Sequence, residues 1–337
     1  MTAPMLPAPA APAPAPAATV PAGPLRPVLR ALAIVACLPY ITLKAVWVAG
    51  GRVGIPDGSV LLDHPTMMAV ANGVSVLADA VVVLLALLLT RPWGLRVRAW
   101  TLAFPMWAAT GLIGPIMIAY PAQLVVSLLG GSGDGSSGPP REPFLDSWVF
   151  PVVYGGFIVQ GLSLGTLFAL YARERWGRVW RGRLGELPAA TGGPVVRAVA
   201  VAGALLALVP ATLCVLWASG LTSGLSPDLA AQYDADRAVV DAVRALLLVV
   251  AAVATLLLVL RRPAGLRTRT AMGVSWLASG AAGCWGAYMT LVMAMPQGDA
   301  GKGPTGLMIT AYAGEMITGF LLAGCLAVVL GRRSATA

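Results

Sequence analysis

Three ionisable side chains, Lys44, Asp79 and Glu315, stand inside runs of otherwise apolar sequence. A charge in such a run costs a few kcal/mol on insertion into a bilayer, so each needs a partner, a proton or water. Asn72, Ser75 and Asp79 step by three and four residues, which puts them on one helix face. A carboxylate with an amide and a hydroxyl suits a proton- or cation-linked site or a polar solute contact. It also suits a protonated or hydrogen-bonded Asp that ties helices together. Glu315 and Lys44 lie at depths that differ by only about 6 Å. Lys44 is expected to snorkel beside Tyr40 and Trp47, with a pair to Glu315 as the alternative if their helices are neighbours. A further group, Arg237, Asp241 and Arg244, falls at i, i+4 and i+7. Asp241 reaches either arginine along that face, which reads as a structural ion-pair stripe.

Other chemistry is poorly supplied. His64 is the single histidine, and Cys37, Cys214, Cys284 and Cys325 have no CxxC or Cys/His spacing. No metal site, disulfide framework or cofactor is expected. There is no Walker A, GxSxG or HExxH motif, so an enzyme is disfavoured. Asp57, Asp63, His64, Asp134, Glu142 and Asp146 are spread over Gly/Ser/Pro-rich sequence that looks like loop rather than site.

The elements that must hold these residues are helices in lipid. Hydrophobic residues make up 58% of the 337-residue chain and charged residues 11%, against about 25% charge in soluble domains. Apolar runs predict eight spans at about 28–49, 66–89, 99–121, 148–171, 195–219, 238–260, 271–295 and 306–330. The runs are continuous rather than alternating, and lipid leaves no backbone group unpaired, so they are helices. Pro115 and Pro121 make the end of the third span the least defined. Residues 1–25 form a Pro/Ala tract without charge, expected to be a disordered tail.

Arg26, Arg30, the stretches 91–98, 172–197 and 261–269, and Arg332 and Arg333 all fall on one side of this layout. On that side only Glu174 and Glu186 oppose the arginines, so the positive-inside rule places both termini in the cytoplasm. Trp176 and Trp180, within "ARERWGRVWRGRL", are expected on a surface helix that anchors at an anionic inner leaflet. Arg91, Arg96, Arg98, Arg262, Arg267 and Arg269 are expected to anchor the hairpins in the same way. No nucleic-acid partner is expected beside a membrane span. Self-association or a further membrane partner is left open.

The same word is written twice: "RPWGLRVR" from Arg91 and "RPAGLRTR" from Arg262, 171 positions apart. "PYITLKAVWVAG" from Pro39 echoes "PATLCVLWASG" from Pro210. Tyr154-x-Gly156 and Tyr312-x-Gly314 follow in the same order in each half. These echoes point to a tandem parallel duplication of a four-helix unit, 26–185 and 186–333, with a pseudo-two-fold axis along the membrane normal. Gly161 and Gly165, and Gly280, Gly283 and Gly286, offer close-approach faces for packing.

The pattern "LPY..LK..W..GG" from Leu38, the arginine hairpin and the Pro/Ala tail resemble a group of actinobacterial integral membrane proteins of unknown function. That resemblance implies a bacterial plasma membrane and brings no activity. The expectation is thus an all-α membrane protein. Its first functional reading is carrier-like, moving a small solute or ion along the repeat interface. A non-transporting scaffold or accessory subunit comes second, and an intramembrane enzyme on a lipid-linked substrate last.

Overall fold

The computed structural model describes residues 24–57, 59–63, 65–130, 145–294 and 303–336. The Pro/Ala tail, His64, Asp134 and Glu142 lie outside the described residues, apart from the tail's last two positions. The helices are α1 (Leu25–Val48), α2 (Pro65–Leu88), α3 (Ala99–Leu128), α4 (Val149–Trp176), α5 (Pro194–Ala218), α6 (Pro227–Ala231), α7 (Ala235–Leu260), α8 (Thr268–Ala294) and α9 (Gly306–Thr336). All but the short α6 are long and apolar enough to cross a membrane. Among the described residues there is no strand, only an isolated bridge between Arg183 and Arg267. The chain is an all-α, polytopic membrane protein.

Every expected span has its helix. The third is longer than expected: α3 carries Pro105, Pro115 and Pro121 and still runs to Leu128. A proline removes one backbone bond and crowds the preceding turn, but neighbouring turns of a long membrane helix hold the element together. The expected surface helix after Tyr171 is absent. Helix α4 stops at Trp176, and residues 177–182 are irregular, with turns and a bend, before the Arg183 bridge and a 3₁₀ turn at Leu184–Glu186. Gly177 and Gly182 account for this, the latter at φ +88°.

Helix α1 packs on α2 and α4, and α5 packs on α7 and α9 in the same pattern. Helix α3 lies on α4, and α8 on α9. Each group has its own core. One gathers Cys37, Leu85, Leu102, Leu164 and Tyr171, the other Leu184, Ala200, Leu258, Met272 and Leu326; Trp276 borders both. The groups meet mainly where α3 crosses α8. There a Cβ added to Gly280 would sit 3.2 Å from the Gly111 Cα. Trp107 Nε1 donates to Ser279 Oγ at 3.3 Å, and Trp276 Nε1 donates back to Thr110 Oγ1 at 3.2 Å.

The arginine-rich segments converge at one end of the bundle. Arg26 pairs with Glu174, Arg30 reaches Thr90 at 3.4 Å, and Arg175 donates to the Val97 carbonyl at 2.5 Å. Arg261 caps the Leu187 carbonyl at 2.8 Å, and Arg333 the Val179 carbonyl at 2.9 Å. These guanidinium groups satisfy loop carbonyls that no helix or strand would pair.

The two RPxGLRxR hairpins differ in backbone. Pro92–Arg96 forms a 3₁₀ turn, with Gly94 buried under the Tyr171 hydroxyl, which donates to its carbonyl at 2.9 Å. The second hairpin has a cis Arg262–Pro263 bond and a left-handed Arg261. The turns after α1 and α5, by contrast, agree in detail at an offset of 170. Trp47 Nε1 donates to the Val53 carbonyl at 2.8 Å, and Trp217 Nε1 to the Ser223 carbonyl at 3.2 Å. Gly50 and Gly54 have positive φ, as do Gly220 and Gly224.

Candidate functional site

The intramembrane charges form two separate clusters, one in each helix group. In the second, Arg244 on α7 donates to Asp241 Oδ1 at 2.5 Å and to Glu315 Oε1 on α9 at 2.5 Å. The guanidinium lies over the Tyr312 ring, 4.2 Å from its centroid. Tyr233 donates its hydroxyl to Asp241 Oδ2 at 2.8 Å, and the Cys214 thiol on α5 lies 3.5 Å from Glu315 Oε1. Arg244, Asp241, Glu315, Tyr312 and Cys214 are all buried. Tyr233 lies in the loop before α7. Burial and its bond to the Asp241 carboxylate push its hydroxyl above the usual tyrosine range. One planar fork ties α7 to α9 here, the geometry that suits Arg better than Lys, and the Cys214 thiol adds α5.

The first cluster is looser. Lys44 Nζ on α1 donates to Asn72 Oδ1 on α2 at 2.9 Å. It sits 4.9 Å from the Tyr40 ring centroid and 4.7 Å from that of Trp47. Asp79 is buried two turns further along α2, where the buried Gln160 side chain of α4 makes a polar contact with it. Asp79 Oδ2 and Gln160 Oε1 have no hydrogen-bond partner. Ser75, on the same α2 face, donates to the Ala71 carbonyl at 2.9 Å.

The structure therefore keeps Asn72, Asp79 and Lys44 together and separates them from Glu315. The Lys44–Glu315 alternative does not form: each finds a partner inside its own helix group. Of the α7 stripe, Arg244 and not Arg237 takes Asp241. Sequence reasoning missed Gln160 and the Arg244–Glu315 link. A lone amide in the middle of an apolar run was the available signal for Gln160. Nothing in the sequence shows which face of α9 meets α7.

One large cavity touches neither cluster. It is a cleft of about 1940 Å³ walled by α3 and α4 on one side and α8 and α9 on the other. Apolar walls include Phe104, Ile113, Leu164, Phe168, Trp276 and Phe320. Gly165, expected at a packing face, instead borders this cleft with open space where a Cβ would stand, as do Gly273 and Gly324. Gly280, Gly283 and Gly286 do mark close helix approaches; a Cβ on Gly283 would lie 3.3 Å from the Gly319 backbone. The cleft ends among Arg173, Arg181, Arg183, Arg267 and Arg269, with Glu186 as the one acid in its lining. All five of these arginines are exposed. Trp176 and Trp180 are half-buried in the same lining, so two of the expected anchor arginines and both tryptophans border the cleft. Arg91, Arg96, Arg98 and Arg262 are exposed in the hairpins at that end. Among the described residues no cluster of His, Cys, Asp and Glu has the geometry to hold a metal ion.

Comparison with protein-family models, with curated proteins and with solved structures finds no match to this chain.

Proposed function

We propose that this polytopic membrane protein is carrier-like and takes an amphipathic anion, acyl chains with a negatively charged headgroup, into the cleft between its two helix groups. The observation that carries this is the cleft itself: long apolar walls that end among five arginines and one glutamate. Apolar walls suit acyl chains, and arginine forks suit phosphate or carboxylate oxygens. The expected route for a small solute or ion past Asp79 and Glu315 gains no such support, because the cleft reaches neither.

The reading places the protein in a bacterial plasma membrane with its arginine-rich end in the cytoplasm, following the positive-inside rule. It treats the two helix groups as a tandem duplication. The matched contact pattern and the paired Trp turns after α1 and α5 support that view. A pseudo-two-fold interface is where parallel-repeat carriers place their substrates.

Native mass spectrometry of the full chain from nanodiscs of mixed anionic and zwitterionic lipid tests the proposal. The wild type retains anionic lipid selectively. Gly165→Phe, which fills the cleft, and the pair Arg183→Gln and Arg267→Gln, which lowers its charge, abolish that selectivity. Equal retention of both lipid classes in all variants supports the scaffold reading instead.

A further inference from the structure

The first cluster has chemistry that the cleft does not use. Asp79 and Gln160 are 5% and 1% exposed, and each presents an oxygen with no hydrogen-bond partner. Both orphan atoms are acceptors. The donors along this side of the bundle are already engaged. The Cys37 thiol bonds the Ala33 carbonyl at 3.2 Å, the Ser75 hydroxyl bonds the Ala71 carbonyl, and Lys44 bonds Asn72. Tyr40 is in polar contact with Ser75. A carboxylate and an amide oxygen only accept, and the Gln160 amide N–H, the donor within the pair, leaves Asp79 Oδ2 and its own Oε1 unserved. What completes buried orphan acceptors in a dry interior is a positive charge or a proton.

The surroundings also supply a way in. Lys44, Tyr40 and Ser75 are part-exposed, whereas Asp79 and Gln160 are sealed. Asn72, Ser75 and Asp79 follow one face of α2, so polar groups run from the Lys44 level to the middle of the helix. The titratable groups facing Asp79 are Cys37, Tyr40 and Lys44, all on α1. Helix α4 contributes the neutral Gln160. Only Lys44 is cationic in this set, and the aromatic faces of Tyr40 and Trp47 share its charge.

We infer that Asp79 and Gln160 form a binding site for a small monocation, a proton or an alkali ion, reached along the Lys44–Asn72–Ser75 side of α2. The occupant adds the positive charge that the two orphan oxygens lack. The site is distinct from the cleft: none of Asp79, Gln160, Lys44 or Asn72 lines it. Helix α4 nevertheless walls both, with Gln160 toward α2 and Gly161 and Gly165 on the cleft.

The test uses the purified full chain in nanodiscs, with two readouts on wild type, Asp79→Asn and Gln160→Leu. Infrared difference spectra across pH steps follow carboxyl protonation. Thermal unfolding at fixed pH compares sodium, potassium and choline chloride. A proton occupant gives a carboxylic-acid band that titrates in wild type, is missing in Asp79→Asn and does not respond to sodium or potassium. An alkali occupant raises the melting temperature relative to choline in wild type and not in Asp79→Asn. Gln160→Leu shifts the pH midpoint or the ion half-saturation roughly tenfold, the loss of one buried polar ligand. If Asp79→Asn does not accumulate, Gln160→Leu carries the comparison. The inference is overturned if neither pH nor alkali ion distinguishes wild type from these variants.

Discussion

The two helix groups handle buried charge in opposite ways. Around Arg244, one guanidinium joins Asp241 and Glu315, while Tyr233 and Cys214 approach the same carboxylates. Three helices are cross-linked there. Around Asp79 the cation and the acid stand apart: Lys44 is held by Asn72 and two rings, and Asp79 keeps an acceptor with no partner. Cys214 stands 170 positions after Lys44, the same offset as the two Trp turns, with a thiol where the first group has an ammonium. The difference teaches that one helix group uses its polar residues to lock helices and the other leaves groups unspent. Buried clusters whose charges are paired with each other rigidify; a buried carboxylate with no cation against it is where binding is expected.

Breaking the locked cluster has the largest expected effect. Arg244→Met leaves two buried carboxylates without their cation and destabilises the protein by about 3–5 kcal/mol. Accumulation and melting temperature, read by fluorescence-detected size exclusion, both fall. The triple change Arg244→Met, Asp241→Leu and Glu315→Met restores much of the loss, since apolar replacement of a whole buried ionic cluster is often neutral. No recovery in the triple variant shows that the cluster does more than hold helices.

Next comes the seam between the groups. A side chain at Gly111 has no room, because its Cβ falls on the Gly280 backbone of α8. Gly111→Val costs about 1–3 kcal/mol or more by overpacking. The same change at Gly114, which has open space and borders the cleft, costs far less. Equal thermal stability for the two variants contradicts the α3–α8 crossing.

In the open cluster, Lys44→Met is expected to cost at most about 1 kcal/mol, because the ammonium is part-exposed and makes one hydrogen bond. A loss comparable to that of Arg244→Met removes the contrast between the halves.

A comparably small effect is expected at Tyr233→Phe, which removes one donor to Asp241 and costs about 0.5–1.5 kcal/mol at neutral pH. The sign with pH is defined. The fold holds the Tyr233 hydroxyl protonated above the usual range, while the unfolded chain ionises near pH 10. Wild-type stability is therefore full below about pH 10 and declines as pH rises beyond it. Thermal melts from neutral to alkaline pH show this component weakened in the Phe variant.

Some features were legible and others were not, for physical reasons. Asn72, Ser75 and Asp79 share a face because helix periodicity puts them there, and that face does turn inward at Asn72 and Asp79. Asp241 with Arg244 was equally local. Gln160 and Glu315 were not assignable, since their partners lie on other helices, 71 residues apart for Arg244 and Glu315. The repeated hairpin was misleading in a useful way. Six of eight identical residues fold into different turns, because Tyr171 and Arg175 pin Gly94 while Leu184 and Gly185 bond the Leu266 and Ala264 carbonyls beside the other. The weaker echo at Trp47 and Trp217 keeps its geometry, because indole and carbonyl are six residues apart in one chain segment.

By itself the sequence determined the membrane class, the eight helices and the arginine-rich side, since a hydrocarbon layer demands about 20 apolar residues per span and helical hydrogen bonding within each. Those are local rules, read from each run alone. Only the tertiary structure decided that Glu315 meets Arg244, that Gln160 meets Asp79, and that a cleft opens between α3–α4 and α8–α9. These depend on which helices are neighbours and how each is rotated about its axis, and that is settled by glycine approaches such as Gly111–Gly280 and Gly283–Gly319 rather than by any single span.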